Sequence, residues 1–408
     1  MKKSKPAMRV AYAAAVYGTP EVNAVRQVLK NPLQLAAGHR VKEFESKIAR
    51  LFGKKIGVMV NSGSSANLIA VESLQLPRGS EVITPVLTFA TTVAPLLQND
   101  LVPVFTDVEE GTYLANIDEV RRRITKKTRA IMLPSLLGNV PDLKRIASIA
   151  KKHNLKVIED SCDTLGGRFA GKPTGAYSDV STTSFYASHI ITAAAGGGMA
   201  CFNDPVLARR ATVIANWGRE STLFGVYEES EALKKRFAGR LDGEVYDAKF
   251  IFSQVGYNFQ STELNAAFGL EQLKRLPSFA RARRSNFAEL VRFFKQYEHL
   301  FVLPKQHPSA ETTWLAFPLE IRSGASFSRH EITEFLERNG IQTRPIFTGN
   351  IFKQPGFAKA FKKSAVAMHA YPVADRIMKR GFLIGAHHGM TRAQMNYLKK
   401  KFHEFLSK

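Results

Sequence analysis

The sequence predicts an α/β protein: a large domain built on a mostly parallel sheet wrapped by helices, followed by a smaller C-terminal α/β domain. Three observations carry this expectation. From about residue 56, short apolar runs alternate with amphipathic stretches, the rhythm of strand–helix–strand units. The strand-like runs are apolar at nearly every position, as suits strands covered on both faces. After a polar, charged and poorly periodic segment around 220–250 the pattern changes, and 408 residues exceed what one simple core accommodates.

Taken in order, IGVMV (56–60) reads as a strand and Ser64 through Leu76 as a helix. EVITP (81–85) is a strand followed by a helical stretch through Leu97. LVPVF (101–105), AIMLP (130–134) and LKVIE (155–159) continue the strand series, with helical DLKRIASIAKKH (142–153) before the last. A further strand ends at Phe185–Tyr186, and another follows Gly196-Gly197-Gly198. A long helical stretch begins near Thr262 and, broken at Pro277, continues to about Tyr297. TTWLAFPLEI (312–321) reads as a strand and SRHEITEFLERNG (328–340) as a helix with a Ser cap and a Gly stop. The large domain, with the N-terminal segment, is expected over 1–275 and the small one over 276–408.

Composition narrows the function classes. Hydrophobic residues make up 45% and charged residues 23%, ordinary for a globular protein. No stretch approaches the roughly 20 apolar residues of a membrane helix. The start MKKSKPAMRVAYAAAVYG superficially resembles a leader, but Arg9 interrupts the apolar run and no clean cleavage site follows. Two cysteines, Cys162 and Cys201, are too few for a disulfide framework or a cysteine-ligated zinc or iron–sulfur site. They fit a reducing, cytoplasmic setting. The net charge of +23 is spread over short basic pairs and triplets, without a basic helix carrying interleaved aromatics. A solvated basic surface therefore accounts for it better than nucleic-acid binding, and part of it favours an anionic, nucleotide-linked substrate.

Three segments carry chemistry. NSGSSANL (61–68) follows a strand and opens a helix; helix-start N–H groups, Gly63 and the hydroxyls of Ser62, Ser64 and Ser65 suit a phosphate. Ser and Gly are also ordinary helix starters. LKVIEDSCD (155–163) puts Asp160 at the carboxyl end of an apolar strand, where open α/β sheets bind ligands. A carboxylate there can pair with a protonated ring nitrogen; a helix cap is the competing use. STTSFYASHIITAAAGGGMACF (181–202) leads from a strand through Ser188 and His189 into the triple glycine, which permits close backbone approach. Alone, His189 is an unremarked loop histidine.

The order of these segments, with TPVLTFATT (84–92) between the first two and GYNFQSTELNAAFGLEQL (256–273) after the third, resembles the DegT/DnrJ/EryC1/StrS family of sugar aminotransferases. The likeness runs from about residue 12 to the C-terminus. It implies a fold-type I aminotransferase architecture and a pyridoxal or pyridoxamine 5'-phosphate cofactor. It further implies that Ser62, Gly63, Ser64 and Ser184 hold the cofactor phosphate and that Phe89 stacks on the pyridine ring. Asp160 would pair with the ring nitrogen, with Cys162 and Asp163 beside the ring near its hydroxyl. Asn258 would reach the phosphate of a second subunit, implying a homodimer with shared sites. Arg219 and Arg344 are candidates for the substrate pyrophosphate, sugar or carboxylate, against the reading of surface arginines in a basic protein.

Members of the family typically carry a Schiff-base lysine before the paired glycines. Here His189 stands in its place, and no lysine occurs between Lys172 and Lys234. Imidazole cannot tether the cofactor but can move a proton. This exchange is similar to that of the subgroup that removes the C3 hydroxyl of nucleotide-linked 4-keto-6-deoxyhexoses in deoxysugar and lipopolysaccharide O-antigen synthesis. SFYASHIIT, WGRE (217–220), KRFAGRL (235–241), RPIFTGN (344–350) and FKQPGF (352–357) support the likeness. It implies a cofactor working as pyridoxamine phosphate, with His189 as general base. The branch acting on CDP-sugars bears a [2Fe–2S] cluster just after its WGR segment, whereas 217–237 here holds no cysteine. The resemblance therefore favours the cluster-free route, with L-glutamate as amino donor. Other lysine-free chemistry on a nucleotide sugar, such as deamination or isomerisation, and a non-catalytic family member are the alternatives. Relatives commonly place an acidic residue before the glycines; Ala193-Ala194-Ala195 departs from this and leaves open a looser loop or a different amino donor.

Overall fold

The computed structural model describes residues 8–363 and 366–407. The first seven residues of the leader-like start lie outside the described residues. Seven strands form the central sheet: β1 (Ile56–Val60), β2 (Glu81–Pro85), β3 (Val102–Thr106), β4 (Thr128–Pro134), β5 (Lys156–Asp160), β6 (Val180–Ser184) and β7 (Gly198–Phe202), in the spatial order β1-β7-β6-β5-β4-β2-β3. Five of these strands, β2 to β6, run parallel. Strand β7 alone lies antiparallel to its neighbours β1 and β6. The sheet is thus mostly parallel, with helices on both faces. Its apolar runs are buried because each face is covered: Val58, Val82, Met132 and Ile158 join Ile69 and Ile214 in one core cluster, while Ile83, Ile131 and Val157 pack on Ile146 in another.

The second sheet is antiparallel, with strands β8 (Phe301–Val302), β9 (Phe317–Ile321), β10 (Arg344–Pro345) and β11 (Gly381–Ile384) in the order β8-β9-β11-β10. Two connections tie it to the large sheet. The helix Glu263–Phe294 is continuous, with Pro277 inside it, where the sequence suggested a break. Proline removes one helical hydrogen bond and bends the turn before it, but burial of Leu276 and Phe279 on either side keeps the helix together. Its first half packs on helices Thr19–Leu29 and His39–Leu51, while Leu290 and Phe294 enter the core of the second sheet. The division expected at 275/276 falls inside this helix. The second connection is the N-terminal segment: Val10 pairs with Ile341 and is wholly buried in that same small-sheet core.

The segment 220–250 holds short turns and one hairpin, Gly239–Leu241 with Glu244–Tyr246. No helix among the described residues is long and apolar enough to cross a membrane.

Candidate active site

The carboxyl ends of β1, β2, β4, β5 and β6 open onto one cavity of about 410 Å³. Ser62, Gly63, Ser64, Phe89, Asp160, Cys162, Asp163, Ser184 and His189 all line it, so nine of the expected site residues are brought together from segments far apart in sequence. Asn258, Arg219 and Arg344 do not line it. Asn258 accepts the Gln260 N–H at 3.4 Å. Arg219 stacks over Trp217 at 4.3 Å and donates to the Lys249 carbonyl at 3.3 Å. Arg344 is exposed and sits over the Tyr12 ring at 5.8 Å; since Tyr12 lines the cavity, Arg344 stands at its rim.

At one end lies the start of helix Gly63–Ser73. The Ser62 hydroxyl caps it by accepting the Ser65 N–H at 3.1 Å, so the ordinary helix-start reading of this serine holds. The N–H groups of Gly63 and Ser64 have no carbonyl within the helix to bind and favour an anion. Gly63 is required by space: a Cβ there would stand 2.6 Å from Ser184 Cβ and 2.9 Å from Cys162 Sγ. The Ser184 hydroxyl accepts the Tyr186 N–H at 3.3 Å, which leaves its hydrogen free to donate.

Asp160 forms the floor. It caps no helix: Oδ2 accepts from Asn67 Nδ2 (2.9 Å) and Thr92 Oγ1 (2.7 Å), and Oδ1 from the Cys162 N–H (3.2 Å). Behind these donors Thr182 donates to Asn67, and Thr88 to Thr92 at 2.9 Å. Three donors thus fix this buried carboxylate at the cavity, where it can pair with a protonated ring nitrogen. Phe89, 52% exposed, flanks the cavity edge-on to Phe347 at 5.9 Å. An anion cradle at a helix start, a fixed carboxylate and an aromatic face together fit a pyridoxal or pyridoxamine phosphate. Among the described residues no lysine lines the cavity. Sequence reasoning missed Asn67, Thr92, Thr88 and Thr182; their one signal is a polar residue kept within otherwise apolar stretches.

His189 is held by its own turn. Its N–H donates to the Tyr186 carbonyl at 3.0 Å, and Nδ1 lies 3.3 Å from the Ser184 carbonyl. A carbonyl only accepts, so Nδ1 carries the hydrogen and Nε2 presents a lone pair. Nε2 is 4.0 Å from Asp163 Oδ1, whose Oδ2 accepts the Leu137 N–H at 2.9 Å. Burial lowers the imidazole to about 4, the Ser184 carbonyl opposing and Arg283 assisting. Burial raises Asp163 to about 7 against the Leu137 N–H, with Asp160 adding to the rise. Near neutrality the imidazole is therefore uncharged, and the proton of this pair resides on the carboxyl side. The following loop is tied by two hydrogen bonds. Asn265 Nδ2 donates to the Ala193 carbonyl at 2.8 Å, and Ala195 N–H to Thr192 Oγ1 at 3.0 Å. This holds Ala194 and Ala195 at left-handed φ of 55° and 65°.

These shifts act on stability in opposite directions. Between the folded and unfolded values the unfolded chain binds a proton at His189 that the folded one does not, so His189 lowers stability as pH falls from about 6.5 to about 4. Asp163 binds its proton in the folded state first, so it raises stability as pH falls from about 7 toward 4. Accordingly, His189→Asn should flatten the acid-side loss of stability and Asp163→Asn should steepen it, each by up to about 1.4 kcal/mol per pH unit. Urea midpoints measured between pH 4.5 and 6.5 check this; parallel curves for the three proteins would refute it.

A sequence model of the DegT/DnrJ/EryC1/StrS aminotransferase family matches residues 17–403. The chain is 39% identical over 387 residues to a dTDP-4-dehydro-2,6-dideoxy-D-glucose 3-dehydratase of Saccharopolyspora spinosa, covering 92% of this chain and 82% of that one. It is 31% identical over 382 residues to a GDP-4-keto-6-deoxy-D-mannose 3-dehydratase of Yersinia pseudotuberculosis, covering 92% and 93%. Among solved structures, a GDP-4-keto-6-deoxymannose-3-dehydratase with a trapped PLP-glutamate geminal diamine superposes with a TM-score of 0.85 at 28% identity, covering 96% of this chain and 100% of that one.

Proposed function

Because the chain belongs to the DegT/DnrJ/EryC1/StrS aminotransferase family, we propose that it is a pyridoxamine phosphate-dependent 3-dehydratase. Its substrate is a nucleotide-linked 4-keto-6-deoxyhexose, within deoxysugar or lipopolysaccharide O-antigen synthesis. The observation that carries this reading is His189, an uncharged imidazole lining the cofactor-sized cavity with Nε2 free, where the family's tethering lysine would stand. The 3-dehydratase activities of the 39% and 31% identical relatives support it.

In this reading the Gly63 and Ser64 N–H groups and the Ser184 hydroxyl bind the phosphate, and Ser62 holds that turn in place. Asp160 pairs with the ring nitrogen, Phe89 covers one ring face, and Cys162 and Asp163 border the other side. Bound there, pyridoxamine phosphate would supply an amine for the 4-keto group and a ring that takes up the electron pair left by deprotonation of its aminomethyl carbon, the pair that then expels the C3 oxygen. His189 Nε2 takes up the proton released from the aminomethyl carbon and returns a proton to the departing C3 oxygen, which leaves as water. Asp163 lies beside Nε2, and its ionised form would offset the imidazolium formed between the two transfers. Arg344 at the rim and Arg219 serve the anionic parts of the substrate. Asn258 reaches the phosphate site of a second copy in a homodimer working in the cytoplasm. L-Glutamate restores the amine, as the glutamate adduct of the solved relative suggests, and ammonia leaves the product.

The test supplies GDP-, CDP- and dTDP-linked 4-keto-6-deoxyhexoses in turn, with pyridoxal phosphate and glutamate. One of them should lose one oxygen by mass spectrometry while one 2-oxoglutarate accumulates per turnover, and borohydride should trap no lysine adduct. A product that carries an amino group in place of the 4-keto oxygen and keeps its C3 hydroxyl would instead identify an aminotransferase.

A further inference from the structure

Among the described residues, Arg283 is the largest side chain that is fully buried. Its charge has no carboxylate partner among the described residues. A buried, uncompensated cation is costly unless every donor is placed, and this one is almost fully placed. Nη1 donates to the carbonyls of Trp314 (3.2 Å) and Leu315 (2.9 Å), Nη2 to the carbonyl of His189 (3.4 Å), and Nε to His388 Nδ1 (3.1 Å). Four of the five N–H groups of a guanidinium thus clamp three pieces of chain: the His189 turn, the Leu315 wall of the cavity and the His387–His388 turn. A core position needing only volume would take an apolar residue of that size. A fixed fork from the long helix onto a catalytic turn asks for more than volume.

We propose that Arg283 is a positioning residue for the reaction: it anchors the main chain of His189 and provides a fixed positive charge behind the imidazole. Its side chain touches neither the cavity nor any residue expected to hold substrate. It acts through the main chain it clamps, above all that of His189. The charged and titratable groups facing the imidazole are Asp160 and Asp163 from β5 and the turn after it, Tyr186 from its own turn, with ring centroids 6.0 Å apart, and Arg283 from the long helix. Tyr12, His387 and His388 surround the guanidinium. Burial is the largest cause holding the imidazole at about 4, and the guanidinium adds to it. A nearby cation disfavours a second charge, so the clamp keeps Nε2 able to accept a proton while fixing where it points.

The kinetic part of this inference rests on the dehydratase reading; the spectroscopic part does not. Imidazole titration by NMR, with the His189 signal assigned by its loss in His189→Asn, is followed in the wild type, Arg283→Met and Arg283→Lys, together with kcat, KM and the acid limb of the rate profile. Arg283→Met should raise the His189 titration midpoint, carry the acid limb with it, and lower kcat about 10²-fold with KM little changed, as expected of a misplaced catalytic group. Arg283→Lys keeps the charge and loses the fork, so the midpoint should stay low while kcat still falls. Should Arg283→Met not fold, the lysine variant decides alone: a wild-type kcat, or a midpoint raised toward 6.5, overturns the proposal. A folded Arg283→Met protein with an unmoved midpoint overturns it as well. If no nucleotide sugar is dehydrated by the wild type, the titration still tests the clamp, so the two failures remain distinct.

Discussion

His189→Asn is expected to yield a folded protein that retains the cofactor and has lost dehydration by on the order of 10³-fold, within the range that general acid–base catalysis supplies. Asparagine approximates the imidazole in size and can still donate to the Ser184 carbonyl, which accepts from Nδ1 in the wild type. Its amide cannot take up a proton near neutrality. The Ser62–Ser64 turn and the Asp160 floor make no hydrogen bond to the ring nitrogens, and Ser184 meets the ring through its carbonyl, not its hydroxyl, so cofactor absorbance after gel filtration should be unchanged. Single-turnover loss of oxygen, measured by mass spectrometry, separates the proton-transfer role from binding. Dehydration at the wild-type rate would remove His189 from the chemistry.

The second large effect is expected from Asp160→Asn. The native carboxylate is met by three donors, from Asn67, Thr92 and the Cys162 N–H. An amide nitrogen in place of one oxygen confronts donor with donor in a buried setting. That should lower stability by about 1–3 kcal/mol. In the proposed reading it also removes the carboxylate that pairs with the ring nitrogen, for which a loss of at least about 10²-fold in turnover is expected. Dialysis should strip cofactor from this variant faster than from the wild type, with a lowered Tm. Wild-type turnover in the asparagine variant would show that Asp160 is not the partner of the ring. Because His189→Asn spares cofactor retention and Asp160→Asn does not, the two variants distinguish proton transfer from cofactor electronics.

Much of the sheet was legible because its strands are sandwiched: with both faces covered, IGVMV, EVITP and AIMLP are apolar at most positions, and each forms the strand expected. The chemistry-bearing residues at strand ends were legible for a related reason, since a polar Asp160 closing an apolar run has few structural uses. Strand direction is not written in such runs, and the antiparallel insertion of β7 between β1 and β6 emerges only from pairing. Pro277 misled because its local cost is outweighed by burial that the sequence does not display. The support under Asp160 stayed hidden, as Asn67 and Thr92 look like any polar residue on a helix until the fold brings them to 2.9 and 2.7 Å from the carboxylate. Arg283 was hidden more deeply, in a stretch, RARRSNF, where a charged residue reads as surface.

The pairing of Val10 with Ile341 sets an order of assembly. Residues translated first complete a core whose other members, Phe301, Phe317, Phe382 and Phe402 among them, are translated last. At about 5–20 residues per second the ribosome needs roughly 20–80 s to deliver them. Throughout that interval Tyr12, two residues beyond Val10, has no docking site for its stretch of chain. The cavity wall it contributes therefore closes only once those core residues are present, and a nascent chain that lacks them carries an open pocket, whatever its central sheet has already achieved.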